Sequence, residues 1–489
     1  MRQLTEKIRV MKFGGTSVAD AECFRRSAGI IAAGAGGVVA VVSAMCGVTN
    51  RLVEAARRSA SGDASAASEL AATLRAQHLP VIETLAKDPG TRSRLSAELE
   101  EILEEVSCLC RAAALLRELT PRALDAVSGA GERLSARMLA GALCELGLRA
   151  VAVEATELIV TDDEHGQAEP LLMQTRGLAR ARLLPLLEDG AIPVVTGFIG
   201  ATAEGALTTL GRNGSDYSAT ILGAALGAAE VVIWSDVDGI LTADPHLVPE
   251  ASPMSEISYD EATELSYFGA KVLHPKTLRP VEAARIPVCI RNSFRPEQPG
   301  TRITASGSEA AQGVKAVTAI KDVCLVSVGG REIVGGHCEV AARTFAAAAK
   351  ARAEVLLISQ SSSRNDICFI VKAAEVSATV EALREEFAVE TTERVAERIN
   401  VTEGIAVVAV VGEKVRGTTD IAGRAFVALG NRGINIVAVA QGSSDYNVSF
   451  VVEASAMSEA VSAVHAEFGL QQPAALPELL QIEGASAGV

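Results

Sequence analysis

With 489 residues, 49% hydrophobic and 21% charged, the chain is long enough for two to four globular domains. A net charge of −15 with no long Lys/Arg run argues against a nucleic-acid partner. Aromatic residues are only 3%, so aliphatic side chains must fill the cores. Nine cysteines without CxxC spacing and six histidines without HExxH spacing predict no zinc site and a reduced, cytoplasmic protein. Met1 to Val10 lacks the apolar core of a signal peptide. Gly29 to Met45 is nearly uncharged but too short and glycine-rich to cross a membrane, so no membrane partner is expected.

Ile8 to Phe13 reads as a first strand running into Gly14, Gly15, Thr16 and Ser17. Ala21 to Ala33 has helical character, and Val38 to Met45 reads as a buried strand ending at Cys46-Gly47. Residues 50–120, rich in Ala, Leu, Glu and Arg, predict a helical insertion or lid. Ser128 to Leu143 opens a further helix after a glycine turn, with Glu132 in its first turn. A plain helix-dipole preference would also put a carboxylate there.

Ala150 to Val153 and Ile192 to Thr196, the start of an apolar run reaching Gly200, supply further strands, the second leading into TTLGRNGSDYSA (Thr208 to Ala219). Strand, glycine-rich turn, helix, strand is the simplest reading there. Gly211 and Gly214 would let the backbone approach a ligand, and Ser215 and Asp216 would open a helix whose free N–H groups suit an anion. An ordinary capped strand-to-helix loop would use the same residues.

Beyond Val231 to Trp234, the loop holding Asp236, Asp238 and Asp244 is too irregular for an EF-hand. Tyr259 to Phe268 reads as a helix, with Lys271 beside the following turn. Ile286 to Asn292 reads as the last strand before a linker at about Arg295 to Gly313. Such alternation predicts an α/β fold, a mostly parallel sheet sandwiched by helices, with ligands at the carboxyl ends of its strands.

The C-terminal third repeats itself. The run from Arg343 aligns without gaps on the run from Arg424, with Phe345 on Phe426, Gln360 on Gln441 and Phe387 on Phe468, always 81 positions apart (426 − 345, 441 − 360, 468 − 387). Each copy reads strand, helix, strand, strand, helix, a small α+β module.

No GxxxxGK[ST] is present, which excludes a P-loop ATPase. Glycine turns at strand ends with separate cations, Lys12, Arg212 and Lys271, suit phosphoryl transfer, which needs positioning and charge neutralisation more than covalent help.

KFGGTSV (Lys12 to Val18), VVSAMCGVTN (Val41 to Asn50), SGAGERLSA (Ser128 to Ala136), TTLGRNGSDYSA, IWSDVDG (Ile233 to Gly239) and ELSYFGAKVLHPKT (Glu264 to Thr277) occur in order. Together they resemble aspartate kinase, of the amino-acid kinase superfamily, and the repeat resembles its tandem ferredoxin-like ACT domains. The likeness is nearest to the kinase portion of bifunctional aspartate kinase–homoserine dehydrogenases, and no dehydrogenase domain is expected after the repeat.

The resemblance implies a catalytic domain over 1–308, ACT domains over 315–398 and 399–475 whose elements can interleave, and a tail over 476–489. It implies phosphorylation of L-aspartate by ATP with Mg²⁺. Ser43, Thr49, Glu132, Arg212 and Ser215 would hold aspartate; Lys12 and Asp216 would be catalytic; Gly14, Gly15, Ser17, Ser235, Asp236 and Lys271 would hold the nucleotide. Where the family commonly has Tyr and Arg on the nucleotide side, this chain has Leu241 and His246. An amino-acid effector, threonine favoured over lysine, would bind near Gln360, Ser362, Asn435, Gln441 and Ser443. A homodimer or homotetramer through the ACT domains is expected. Two alternatives stay open: a kinase for another amino acid such as acetylglutamate, and a non-catalytic amino-acid sensor.

Overall fold

The computed structural model describes residues 7–34, 36–270, 273–307, 313–329, 337–361, 366–388, 399–415, 417–440 and 444–471. It divides into two compact units. The first comprises Met1–Ile240, Ser255–Thr263 and Val272–Gly307; the second comprises Leu241–Met254, Glu264–Lys271 and Ser308–Val489.

In the first unit, where Val38–Val42 is buried at every residue, short and mostly apolar segments form the strands. These are β1 (Arg9–Phe13), β2 (Val38–Val42), β3 (Ala150–Val153), β5 (Ile192–Thr196), β8 (Glu230–Ser235), β9 (Glu256–Ser258), β10 (Val288–Asn292) and β11 (Thr301–Thr304), with β4 (Val160–Thr161), β6 (Ile199–Thr202) and β7 (Leu207–Thr209) forming a separate small sheet. The main sheet has the order β3-β5-β2-β1-β8-β10-β11-β9, and every pairing but β10–β11 is parallel. The carboxyl ends of the central strands β2, β1 and β8 therefore lie side by side.

The helices α1 (Ala21–Ala33), α2 (Val48–Ala60), α3 (Ala66–Leu85), α4 (Pro89–Leu116), α5 (Pro121–Ser128) and α6 (Ala130–Glu145) follow the expected periodicities. Leu52, Leu74, Leu99 and Leu139 share one core with Phe13, Val38 and Trp234 of the sheet. The region expected to be an insertion or lid is thus part of the main core. Further helices of the first unit include α7 (Leu172–Glu188) and α8 (Gly214–Leu226).

One further expectation is corrected. The Arg295 to Gly313 linker contains β11, whose Thr301 and Ile303 are buried while Arg302 is exposed; four residues with one hydrophobic give no readable alternation. The apolar run Ile192 to Gly200 opens with the expected strand Ile192 to Thr196, which is β5. It breaks at Gly197-Phe198, where Phe198 takes φ 69°, a left-handed conformation unusual for a bulky residue, and β6 joins the small sheet.

The second unit carries one six-stranded sheet, β13-β14-β12-β15-β17-β16, from β12 (Gly313–Val328), β13 (Leu357–Ser361), β14 (Asp366–Lys372), β15 (Ile399–Glu413), β16 (Ala438–Ala440) and β17 (Asn447–Glu453). The equivalent positions of the two copies make equivalent contacts. Phe345 meets Phe369 edge-on at 6.0 Å and Phe426 meets Phe450 at 6.2 Å. Arg343 covers Phe387 and bonds Glu386; Arg424 covers Phe468 and bonds Glu467.

The long strands β12 and β15 each serve both cores. Val317 of β12 packs with Val408, Val410 and Phe450, whereas Val326 and Val328 pack with Phe369 and Ile399. Register explains it: Val317 lies opposite Val410, and Val328 opposite Ile399.

Among the described residues no helix is long and apolar enough to cross a membrane, and all nine cysteines are free.

Candidate functional site

Central strand β1 carries Lys12 to its carboxyl end, flanked in register by Val41 of β2 and Ile233 of β8. There the chain enters Gly14-Gly15, Ser43 follows β2, and β8 ends in Ser235. A cavity of about 540 Å³ opens over these ends. It is lined by Lys12, Gly14, Gly15, Ser43, Thr49, Glu132, Arg212, Ser215, Asp216, Ser235 and Asp236, so most of the expected site residues meet in one place.

Close approach explains the glycines. A Cβ on Gly15 would stand 3.0 Å from the Ala44 carbonyl oxygen, and one on Gly214 would meet the Phe198 ring at 2.6 Å. Three helices start at this cavity: α2 after Gly47, α6 with Glu132 in its first turn, and α8 after Asn213, which takes φ 56°. Their free N–H groups and dipoles favour anions.

The charges are arranged in two ways. Lys12 Nζ and Asp216 Oδ1 lie 2.5 Å apart, both nearly buried. Glu132 is 3% exposed, and its Oε2 has no hydrogen-bond partner among the described residues. Loss of solvent pushes its carboxyl up to about 8, against the lowering pull of backbone hydrogen bonds and of the Lys12 charge. Arg212 stands exposed on the rim and makes no ion pair or hydrogen bond among the described residues. A buried carboxylate missing a partner, facing the same cavity as a free guanidinium, is suited to a zwitterion.

Some expected residues fall elsewhere. Ser17 does not reach the cavity: its Oγ lies 2.8 Å from Ser293 Oγ, and its carbonyl accepts from Ser27. It ties the β1 turn to the end of β10 instead. Lys271, Ser362, Gln441 and Ser443 lie outside the described residues. Leu241 and His246 belong to the second unit and do not line the cavity. Gln360 on β13 and Asn435 are both exposed. Sequence reasoning missed Phe198 and Asn213, which line the cavity in left-handed conformations. The only local signal for either was an adjacent glycine.

Residues 7–292 match the amino acid kinase family, and residues 326–387 and 408–468 match the ACT domain. Aspartokinase 1, chloroplastic, of Arabidopsis thaliana is 33% identical over 466 residues, covering 94% of this chain and 80% of that relative. The bifunctional aspartokinase/homoserine dehydrogenase of Haemophilus influenzae is 35% identical over 476 residues, covering 94% of this chain. This chain spans 56% of that protein's length, about half, as it does for similar bifunctional plant enzymes. Among solved structures, E. coli aspartokinase III in complex with aspartate and ADP superposes with a TM-score of 0.81 at 31% identity, covering 94% of this chain and all of that one. The same enzyme in complex with lysine and aspartate gives 0.76 at 31% identity, with 94% and 99% covered. Ordered motifs, fold and these matches agree that the chain belongs to the amino acid kinase family, as an aspartokinase-type member with paired ACT domains.

Proposed function

We propose that the cavity of the first unit transfers the γ-phosphoryl group of ATP to the side-chain carboxylate of L-aspartate, giving 4-phospho-L-aspartate and ADP. The observation that carries this reading is the buried Glu132 oxygen sharing a cavity with Arg212, each without a partner among the described residues. Glu132 accepts the ammonium group, and Arg212 presents its planar fork to the α-carboxylate. Ser43, Thr49 and Ser215 supply neutral hydrogen bonds around the same ligand.

The attacking side-chain carboxylate is ionised at neutral pH, so no general base is required. Its oxygen forms a bond to the γ-phosphorus while the bond to the bridging oxygen of ADP breaks. Lys12 lies beside Gly14-Gly15 and neutralises charge on the group in transit. Asp216 fixes the Lys12 ammonium, and Ser235 and Asp236 face the nucleotide side. A magnesium ion held largely by phosphate oxygens needs only one or two protein carboxylates, and the oxygen donors Asp216 and Asp236 on the cavity wall fit it. That ion would supply further charge neutralisation on the phosphates.

Acyl phosphate trapped with hydroxylamine tests the reading. ATP- and Mg²⁺-dependent hydroxamate should form with aspartate and not with glutamate or acetylglutamate. Hydroxamate from acetylglutamate instead, or from none of the three, would overturn it.

The second unit is the regulatory part in this reading, with threonine favoured over lysine as inhibitor. Gln360 ends an edge strand whose equivalent in the other copy is β16, and the loops after both strands are rich in neutral hydroxyl and amide groups. The exposed Ile358 and Val439 of these two edges suit self-association into a homodimer or homotetramer.

A further inference from the structure

Asp125 does not line the cavity, yet it is only 2% exposed, near the end of α5. Both carboxylate oxygens are engaged. Oδ1 accepts from Thr209 Oγ1 at 2.6 Å; Oδ2 accepts from the Gly166 N–H at 3.0 Å and lies 2.8 Å from His165 Nδ1. Its backbone carbonyl accepts from the Gly129 N–H at 3.0 Å, at the entry to α6. One residue thus joins the turn leading to Glu132, the end of β7 three residues before Arg212, and the loop at Gly166.

That last loop in turn backs the Arg212 segment. The Ala168 N–H donates to the Thr209 carbonyl at 2.9 Å, and a Cβ on Gly211 would stand 3.1 Å from the Gly166 carbonyl oxygen. A buried carboxylate is tolerated only when its partners are in place, so its geometry is strongly determined.

We propose that Asp125 is a positioning residue for the amino-acid half of the cavity, holding the segments that carry Glu132 and Arg212 at the separation of an ammonium and a carboxylate. It touches neither substrate. Its effect is on where the two recognising charges stand, which small displacements disturb strongly. The inference rests on the proposed aspartate reading of the cavity.

The test compares steady-state kinetics of wild type, Thr209→Val, Thr209→Ser, Asp125→Ala and Asp125→Asn. Thr209→Val keeps shape and removes one bond; it should raise the KM for aspartate about tenfold while kcat and the KM for ATP stay within about twofold. Thr209→Ser should restore the wild-type value. Asp125→Ala should do more than Thr209→Val, and Asp125→Asn should recover most of the loss, because the Thr209 hydroxyl can turn to accept. A purely structural role would lower Tm and the active fraction and leave both KM values unchanged. Unchanged aspartate KM in Thr209→Val, or an equal rise in the KM for ATP, overturns the proposal. Should wild type form no hydroxamate from aspartate, the underlying reading and this inference fall together; normal hydroxamate with unshifted variants sinks only the inference.

Discussion

In the first unit Glu132 is buried with an oxygen lacking a partner among the described residues, Phe198 holds a left-handed backbone, and Lys12 faces Asp216 at 2.5 Å. In the second, Phe369 and Phe450 each sit fully buried against another phenylalanine, and Arg343 and Arg424 each cover a ring while bonding a glutamate. In the repeat each of these arginines is paired by a glutamate of its own copy, whereas the buried Glu132 oxygen has no partner among the described residues. A buried oxygen without a partner costs the fold stability, while the rings of the repeat contribute through packing. Substitutions should therefore separate the two regions: loss of stability in one, loss of chemistry in the other.

The largest effect belongs to the repeat. Phe450→Ala should cost about 3–5 kcal/mol of the second unit's unfolding free energy, from lost transfer energy and the cavity left behind. Denaturant titration measures it, and an unchanged midpoint would remove the basis of the contrast. Next comes Lys12→Ala, which should lower kcat at least about a hundredfold, on the order of 3 kcal/mol, while native circular dichroism is kept. Near-normal turnover would mean the Lys12–Asp216 pair is structural.

The smallest effect is also the most diagnostic. Because the Glu132 carboxyl is raised to about 8, its contribution to the stability of the empty protein is fully present below the ordinary carboxylate range and is lost as pH rises through about 8. Ammonium recognition needs the ionised form, so the KM for aspartate should fall as pH rises through the same window. Glu132→Gln should raise that KM about tenfold or more and flatten both pH profiles. Thermal melts and kinetics across the window check the two halves separately; a KM for ATP that follows the same profile would place Glu132 on the wrong substrate.

Much of this was readable in advance for identifiable reasons. The apolar strands β1, β2 and β5, the amphipathic helices and the constant spacing of 81 are local or periodic signals. Glycine turns at strand ends located the cavity, because such turns gather at one edge of a parallel sheet. What escaped was long-range or too short to carry a pattern. Asp125 meets Gly166 and Thr209 across 41 and 84 residues, so no spacing marks it. Strand β11 has four residues, and β7 has three. Ser17 resembles a ligand-binding serine by its neighbours, yet Ser293, distant in sequence, engages its hydroxyl.

The crossing of β12 and β15 between the two cores has a further consequence, for how the regulatory part can be inherited or dissected. Val317 leaves the ribosome well before its partner Val410 exists, while the core around Phe369 must wait for Ile399, which follows the whole first copy. The growing chain therefore cannot close the first core until the start of β15 has been made, and long-range pairing of this kind folds late. A gene cut between the copies would give two fragments, each missing a strand segment that the other retains. Descent by duplication is visible in the sequence, but the halves are no longer separable parts.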